Sequence, residues 1–107
     1  MRINVLTQIN DFKGEVLKDK AGAVVTFREV ATTAINAIEE KQTAEDKNKC
    51  YQIGLKLYSG NEVDFTTDQL ALLKEKIAKI YNPLISGRAA EIIEGAEQKE
   101  EQSVEPQ

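Results

Sequence analysis

Few residues in this sequence have types and spacing that could do chemistry. Cys50 is the single cysteine, with Lys47 and Lys49 close by in sequence. A thiol acts as a nucleophile or metal ligand only as the thiolate, which needs a basic neighbour or a helix N-terminus. Helical spacing points Lys49 away from Cys50 and sets Cys50 among apolar residues. A small buried hydrophobe is therefore the expectation. The acidic pairs Glu39-Glu40 and Glu45-Asp46 are the next candidates, as ligands for a divalent cation. Neither follows the alternating acidic and glycine spacing of a calcium loop. They read as solvated helix ends, with Glu45-Asp46 suited to the positive end of a helix dipole. Ser86-Gly87-Arg88 sits near a helix start, where phosphate is readily bound, but no glycine-rich loop accompanies it. Ser86, Gly87, Ala89 and Ala90 read instead as small residues that let helices pack closely.

The sequence contains no histidine. That removes the Ser-His-Asp and Cys-His nucleophile sites and every imidazole metal ligand. A lone cysteine forms neither an internal disulfide nor a four-thiolate zinc site. The carboxylates show no second cluster with site-like spacing, which disfavours a carboxylate-only enzyme as well. The expectation is a protein that is not an enzyme, with no cofactor, no metal and no small-molecule substrate. Nucleic-acid binding lacks its electrostatic footprint. Residues 1–95 carry a net charge of −1, and no helix bears a basic stripe. Lys74, Lys76 and Lys79 form the nearest cluster, offset in part by Glu75. A small DNA-binding transcriptional regulator stands as the alternative reading, because three helices with a tight connection can hold a helix-turn-helix.

The elements that must position these residues follow from patterning. The chain of 107 residues, 41% hydrophobic and 30% charged, supports one modest domain. Ile3 to Leu6 reads as a short strand. The segments Phe12–Lys18 and Ala23–Val25 flank Asp19-Lys20-Ala21-Gly22, a type I turn signature, and read as a hairpin. Thr26 and Glu29 have capping-box spacing, with Val25 and Val30 as a hydrophobic staple. Phe27, Val30, Ala31, Ala34, Ile35 and Ile38 then form the apolar face of a first helix. A second helix starts near Thr43 and carries two stripes, Cys50/Ile53/Leu57 and Tyr51/Leu55/Tyr58. So wide an apolar face predicts neighbours on more than one side. Gly60 sits where a helix end calls for positive φ.

Thr66 and Gln69 form the clearest capping box, ahead of a third helix with Leu70, Leu73, Ile77, Ile80, Tyr81 and Leu84 in one stripe. Either Asn82 caps a fourth helix starting at Pro83, or the long helix kinks there. Gly95 reads as a stop. No long-period repeat is evident. The expected fold is mainly α (α+β), about four short helices with a small N-terminal β-hairpin, over residues 1–95. Residues 96–107 carry a net charge of −3 and almost nothing to bury, so a disordered tail or frayed helical extension is expected. Four helices and a hairpin are too few to cover every stripe. The uncovered remainder, with Tyr51, Leu55, Tyr58 and Tyr81 as candidates, is the expected surface for a protein partner or for self-association. Apolar runs of at most four residues fall far short of the ~20 that cross a bilayer. Met1–Val5 lacks the apolar region of a signal peptide, and a lone thiol suits a reducing compartment. No membrane association and a cytoplasmic location are expected.

The order Val25-Thr26-Phe27-Arg28-Glu29-Val30, then Asp46 through Tyr58, then Val63-Asp64-Phe65-Thr66 with Leu70, Leu73-Lys74, Ile77, Tyr81, Pro83-Leu84 and Gly87-Arg88-Ala89 resembles small proteins of tailed bacteriophages and prophages. The resemblance covers roughly residues 1–95 and consists of core and capping positions. It implies a bacterial host cytoplasm and a non-enzymatic, phage-encoded role, with virion assembly factors such as tail assembly chaperones as one option. It carries over no functional residue.

Overall fold

Threonines open three of the four helices. The computed structural model describes the backbone of residues 1–104 and the side chains of residues 1–99. Helix α1 spans Phe27–Asn36, and Thr26 caps it by accepting from the Glu29 amide. Helix α2 spans Ala44–Leu57, with Thr43 accepting from the Asp46 amide. Helix α3 spans Thr67–Ile80 behind a complete capping box. Thr66 Oγ1 accepts from Gln69 N at 3.1 Å, and Gln69 Oε1 accepts from Thr66 N at 3.0 Å. These bonds satisfy amides that a first helical turn leaves without intrahelical partners. Helix α4 spans Pro83–Val104. Asn82 Oδ1 accepts from Ile85 N at 3.0 Å, so a new helix begins here with proline at its first position, and no kinked α3 is formed.

The β component is small and antiparallel. Strand β1, Arg2–Asn4, pairs with β2, Glu62–Asp64, with Ile3 opposite Val63. The first strand thus finds its partner across α1 and α2, not in the adjoining turn segment. That segment instead forms two short turns of one design. Bridges Asn10↔Val16 and Lys18↔Val24 close over them. Asp11 Oδ1 accepts from Lys13 N and Glu15 N at 2.8 and 3.0 Å, and Asp19 Oδ1 from Ala21 N and Ala23 N at 2.9 and 3.0 Å. Gly14 and Gly22 take φ of 87° and 85°, a region that Cβ-bearing residues avoid. Ile9, Leu17 and Val25 then close a ring: Ile9 N donates to Val25 O, Val25 N to Leu17 O, and Leu17 N to Ile9 O, each at 2.9 Å. Only the apolar, Asp and Gly positions of this short repeat recur, so its period is faint in the sequence.

The core draws on every element. Phe27, Val30 and Ala34 of α1 meet Ile53 and Leu57 of α2, Leu70, Leu73 and Ile77 of α3, and Ile93 of α4, with Ile9 and Phe65 alongside. Helix α3 lies between α1 and α4, whereas α2 packs on α1 and β2. The architecture is mainly α with a small antiparallel β component.

Four local expectations are corrected. Helix α1 ends at Asn36, Ala37 turns to extended backbone, and Ile38 leaves the core at 93% exposure. Gly60 has no positive φ; its carbonyl accepts from Arg28 Nη2 at 2.8 Å. Ile80 is the last residue of α3 and is exposed. Gly95 does not stop α4, because Ala96 still packs into the core and the helix continues to Val104. The boundary expected after residue 95 therefore falls inside a helix. The expected tail is helical through Val104, and residues 105–107 lie outside the described residues.

Candidate functional site

The two stripes of α2 have separate roles. Cys50, Ile53 and Leu57 turn inward and are buried. Tyr51, Leu55 and Tyr58 turn outward at 62, 53 and 60% exposure. The outer three stand at i, i+4 and i+7, one face of a helix. They border an apolar groove of about 410 Å³ between α2 and α1, whose far wall includes Thr32, Ile35 and Asn36. Gly54 also lines this groove. A Cβ there would meet only Ile35 Cδ1, the far end of a flexible side chain, at 3.4 Å, an ordinary contact. Ile38 lines the groove near the α1–α2 connection.

Three of the four expected surface residues, Tyr51, Leu55 and Tyr58, are thus brought together, and Ile38 joins them. Tyr81 is not part of this face. It follows the last turn of α3 on extended backbone and packs half-buried against the core.

Charge on the face is one-signed. None of the lining residues is Asp or Glu, while Lys47 is among them. Lys47 has no carboxylate partner among the described residues. At the other end the Arg28 guanidinium lies 4.9 Å from the Tyr58 ring centre. Its Nε donates to Leu57 O at 2.7 Å and its Nη2 to Gly60 O. Arg28 therefore satisfies carbonyls at the end of α2, supports the Tyr58 ring and keeps a charge unpaired by any described carboxylate. The Tyr58 hydroxyl lies 3.4 Å from Thr32 Oγ1, whose own proton goes to Arg28 O at 2.7 Å.

Beneath this face is a polar clip that patterning did not reveal. Lys76 of α3 is 3% exposed. Its Nζ donates to Glu39 Oε2 at 3.0 Å and to Asp46 Oδ2 at 2.9 Å. Asp46 Oδ2 also accepts from Gln42 Nε2 at 2.8 Å. Glu39 and Asp46 are therefore not free helix ends, as expected above; they tie the α1–α2 connection to α3. Hydrogen bonding to Lys76, the largest cause, holds both carboxyls below their ordinary range. For Lys76, burial opposes the charge most, yet its bonds to Asp46 and Glu39 prevail and the ammonium sits above its ordinary value. The available signal was a lysine at the edge of the inward stripe, one residue before Ile77.

The remaining candidates resolve as structure. Burial, and then the Asp46 charge, pushes the Cys50 thiol up, which disfavours the thiolate. Arg88 donates to Asn10 O at 3.2 Å and Asp11 O at 2.7 Å, fastening α4 to the first turn. Ala89 packs in the core, but Gly87 faces open space, so close packing accounts for only part of that small-residue run. Each lysine of the 74–79 cluster is engaged: Lys74 with Glu94 at 2.8 Å, Lys79 with Glu75 at 3.2 Å, and Lys76 as above. A second cleft, about 630 Å³ and more polar, lies between α2 and α3 with Asp46, Asp68 and Glu75 on its walls. Among the described residues no three Cys, Asp or Glu come together as a metal site, and no helix is long and apolar enough to cross a membrane. Set against family models, curated proteins and solved structures, the chain matches none.

Proposed function

We propose that this chain is a non-enzymatic accessory protein of a tailed bacteriophage or prophage, acting by protein–protein contact in virion assembly within the bacterial cytoplasm. The observation that carries the contact reading is the uncovered stripe Tyr51/Leu55/Tyr58, continued by Ile38 along one groove. Large contiguous apolar patches on a folded surface mark binding sites, and tyrosines suit them because their rings bury much area with little rotamer entropy. Cys50, Ile53 and Leu57 bury the inner side of α2, so Tyr51 and Leu55 are left over from its packing, and Tyr58 meets Arg28 and Thr32 of α1 while staying exposed. The phage setting and the assembly role rest on the resemblance carried by the core and capping residues.

Complementation tests the reading. Deletion of the gene from its phage or prophage, followed by expression of the wild type or Leu55→Asp at matched levels, is read as virion yield. Wild type should restore the yield and Leu55→Asp should not. Equal restoration by the two would overturn the role assigned to this face.

A further inference from the structure

We propose that the groove between α1 and α2 receives an acidic amphipathic helix of a partner protein. This rests on the contact reading above and adds the chemistry of the partner. The first support is charge. Acidic residues outnumber basic ones 18 to 14 in the whole chain, yet no carboxylate lines the groove. Lys47 lines one end, and beyond the other end Arg28, which does not line the groove itself, lies 4.9 Å from the Tyr58 ring centre; no described carboxylate pairs with either. Opposite charges across an interface select partners and fix register, and like charges reject them.

The second support is shape. Lys47 and Tyr58 lie eleven residues apart, about 16 Å along the helix at 1.5 Å per residue. That is three helical turns, one more than the two turns of an i, i+4, i+7 anchor set. A fitting segment carries three apolar anchors on one face and a carboxylate about half a turn beyond each end, which spans the same three turns. A second copy of this chain fits less well. Antiparallel pairing of α2 with its copy sets Lys47 of one against Arg28 of the other.

Two labelled peptides decide the matter. One carries leucines at i, i+4 and i+7 with glutamates beyond each end; its sister has lysines in place of the glutamates. Anisotropy titration with the full chain at low salt should give binding of the acidic peptide about tenfold tighter than its sister, with the gap shrinking at high salt. Lys47→Glu should remove most of that preference, and Leu55→Asp should abolish binding while the circular dichroism spectrum stays unchanged. Equal affinity for both peptides would overturn the acidic partner and leave the contact reading standing. Failure of both peptides, with wild-type self-association that Leu55→Asp disperses, would overturn it in favour of a second copy. Failure of both peptides with no self-association would overturn the inference and the contact reading together.

Discussion

Helices α2 and α3 are each 14 residues long, each begins behind a capping threonine, and each carries apolar residues at helical spacing. On α3 the stripe Leu70/Leu73/Ile77 is wholly buried. On α2 the stripe Tyr51/Leu55/Tyr58 stays in solvent, and a second stripe does the packing. The difference lies in neighbours. Helix α3 is held between α1 and α4, while α2 packs mainly on α1 and β2. Periodicity therefore fixes which residues share a face, and tertiary placement decides whether that face is covered. A helix with two apolar stripes and cover for one leaves the other in solvent.

The comparison can be broken first at the buried stripe. Ile77→Ala should cost about 2–5 kcal/mol, since it removes packed methyl groups and leaves a cavity. Urea unfolding followed by circular dichroism measures this. A loss near zero would mean that α3 is no more covered than α2.

The next effect concerns the clip that joins the two helices. Lys76→Met should cost about 1–2 kcal/mol, below the figure for a fully buried pair because the carboxylates still reach water. Glu39 and Asp46 side chains are each 27% exposed. The pH dependence has a definite sign. Glu39 and Asp46 are depressed in the folded state, so their contribution is present above ordinary carboxylate values and is lost in acid, below about pH 4. Lys76 is raised, so its contribution is present below about pH 10.4 and is lost as pH rises through the folded value. Thermal midpoints across this range should fall at both ends, and Lys76→Met should flatten the acid limb. An unchanged acid limb would remove the clip from the account.

The smallest effect lies between the helices. Gly54→Ala should stabilise by up to about 1 kcal/mol through helix propensity, because the new Cβ meets only the flexible end of Ile35. The same substitution narrows the groove, so the acidic peptide should bind more weakly to a more stable protein. Parallel gains in stability and affinity would contradict the placement of the groove.

What was legible in the residues follows the same division. Capping threonines and staples announced all three Thr-started helices, because caps are local chemistry read within four residues. The double stripe of α2 announced an excess of apolar surface. Cover is long-range: Tyr51, Leu55 and Tyr58 share one exposed face, whereas Tyr81, in stripe with Leu70, Leu73 and Ile77, packs half-buried against the core. Ile38 continued the α1 period but fell past the helix end, where periodicity carries no information. The strand partner of Ile3 and the pairing of Lys76 with Glu39 and Asp46 were hidden for one reason: both join segments far apart in sequence.

The central claim is that one leucine stripe is core and its counterpart is free. A matched pair of Leu→Ala variants tests it most directly, with urea unfolding of each read against the wild type. Leu73→Ala on α3 should lose about 2–5 kcal/mol, and Leu55→Ala on α2 should lose less than about 1 kcal/mol. Equal losses would contradict the account, since they would make the outer face of α2 part of the core.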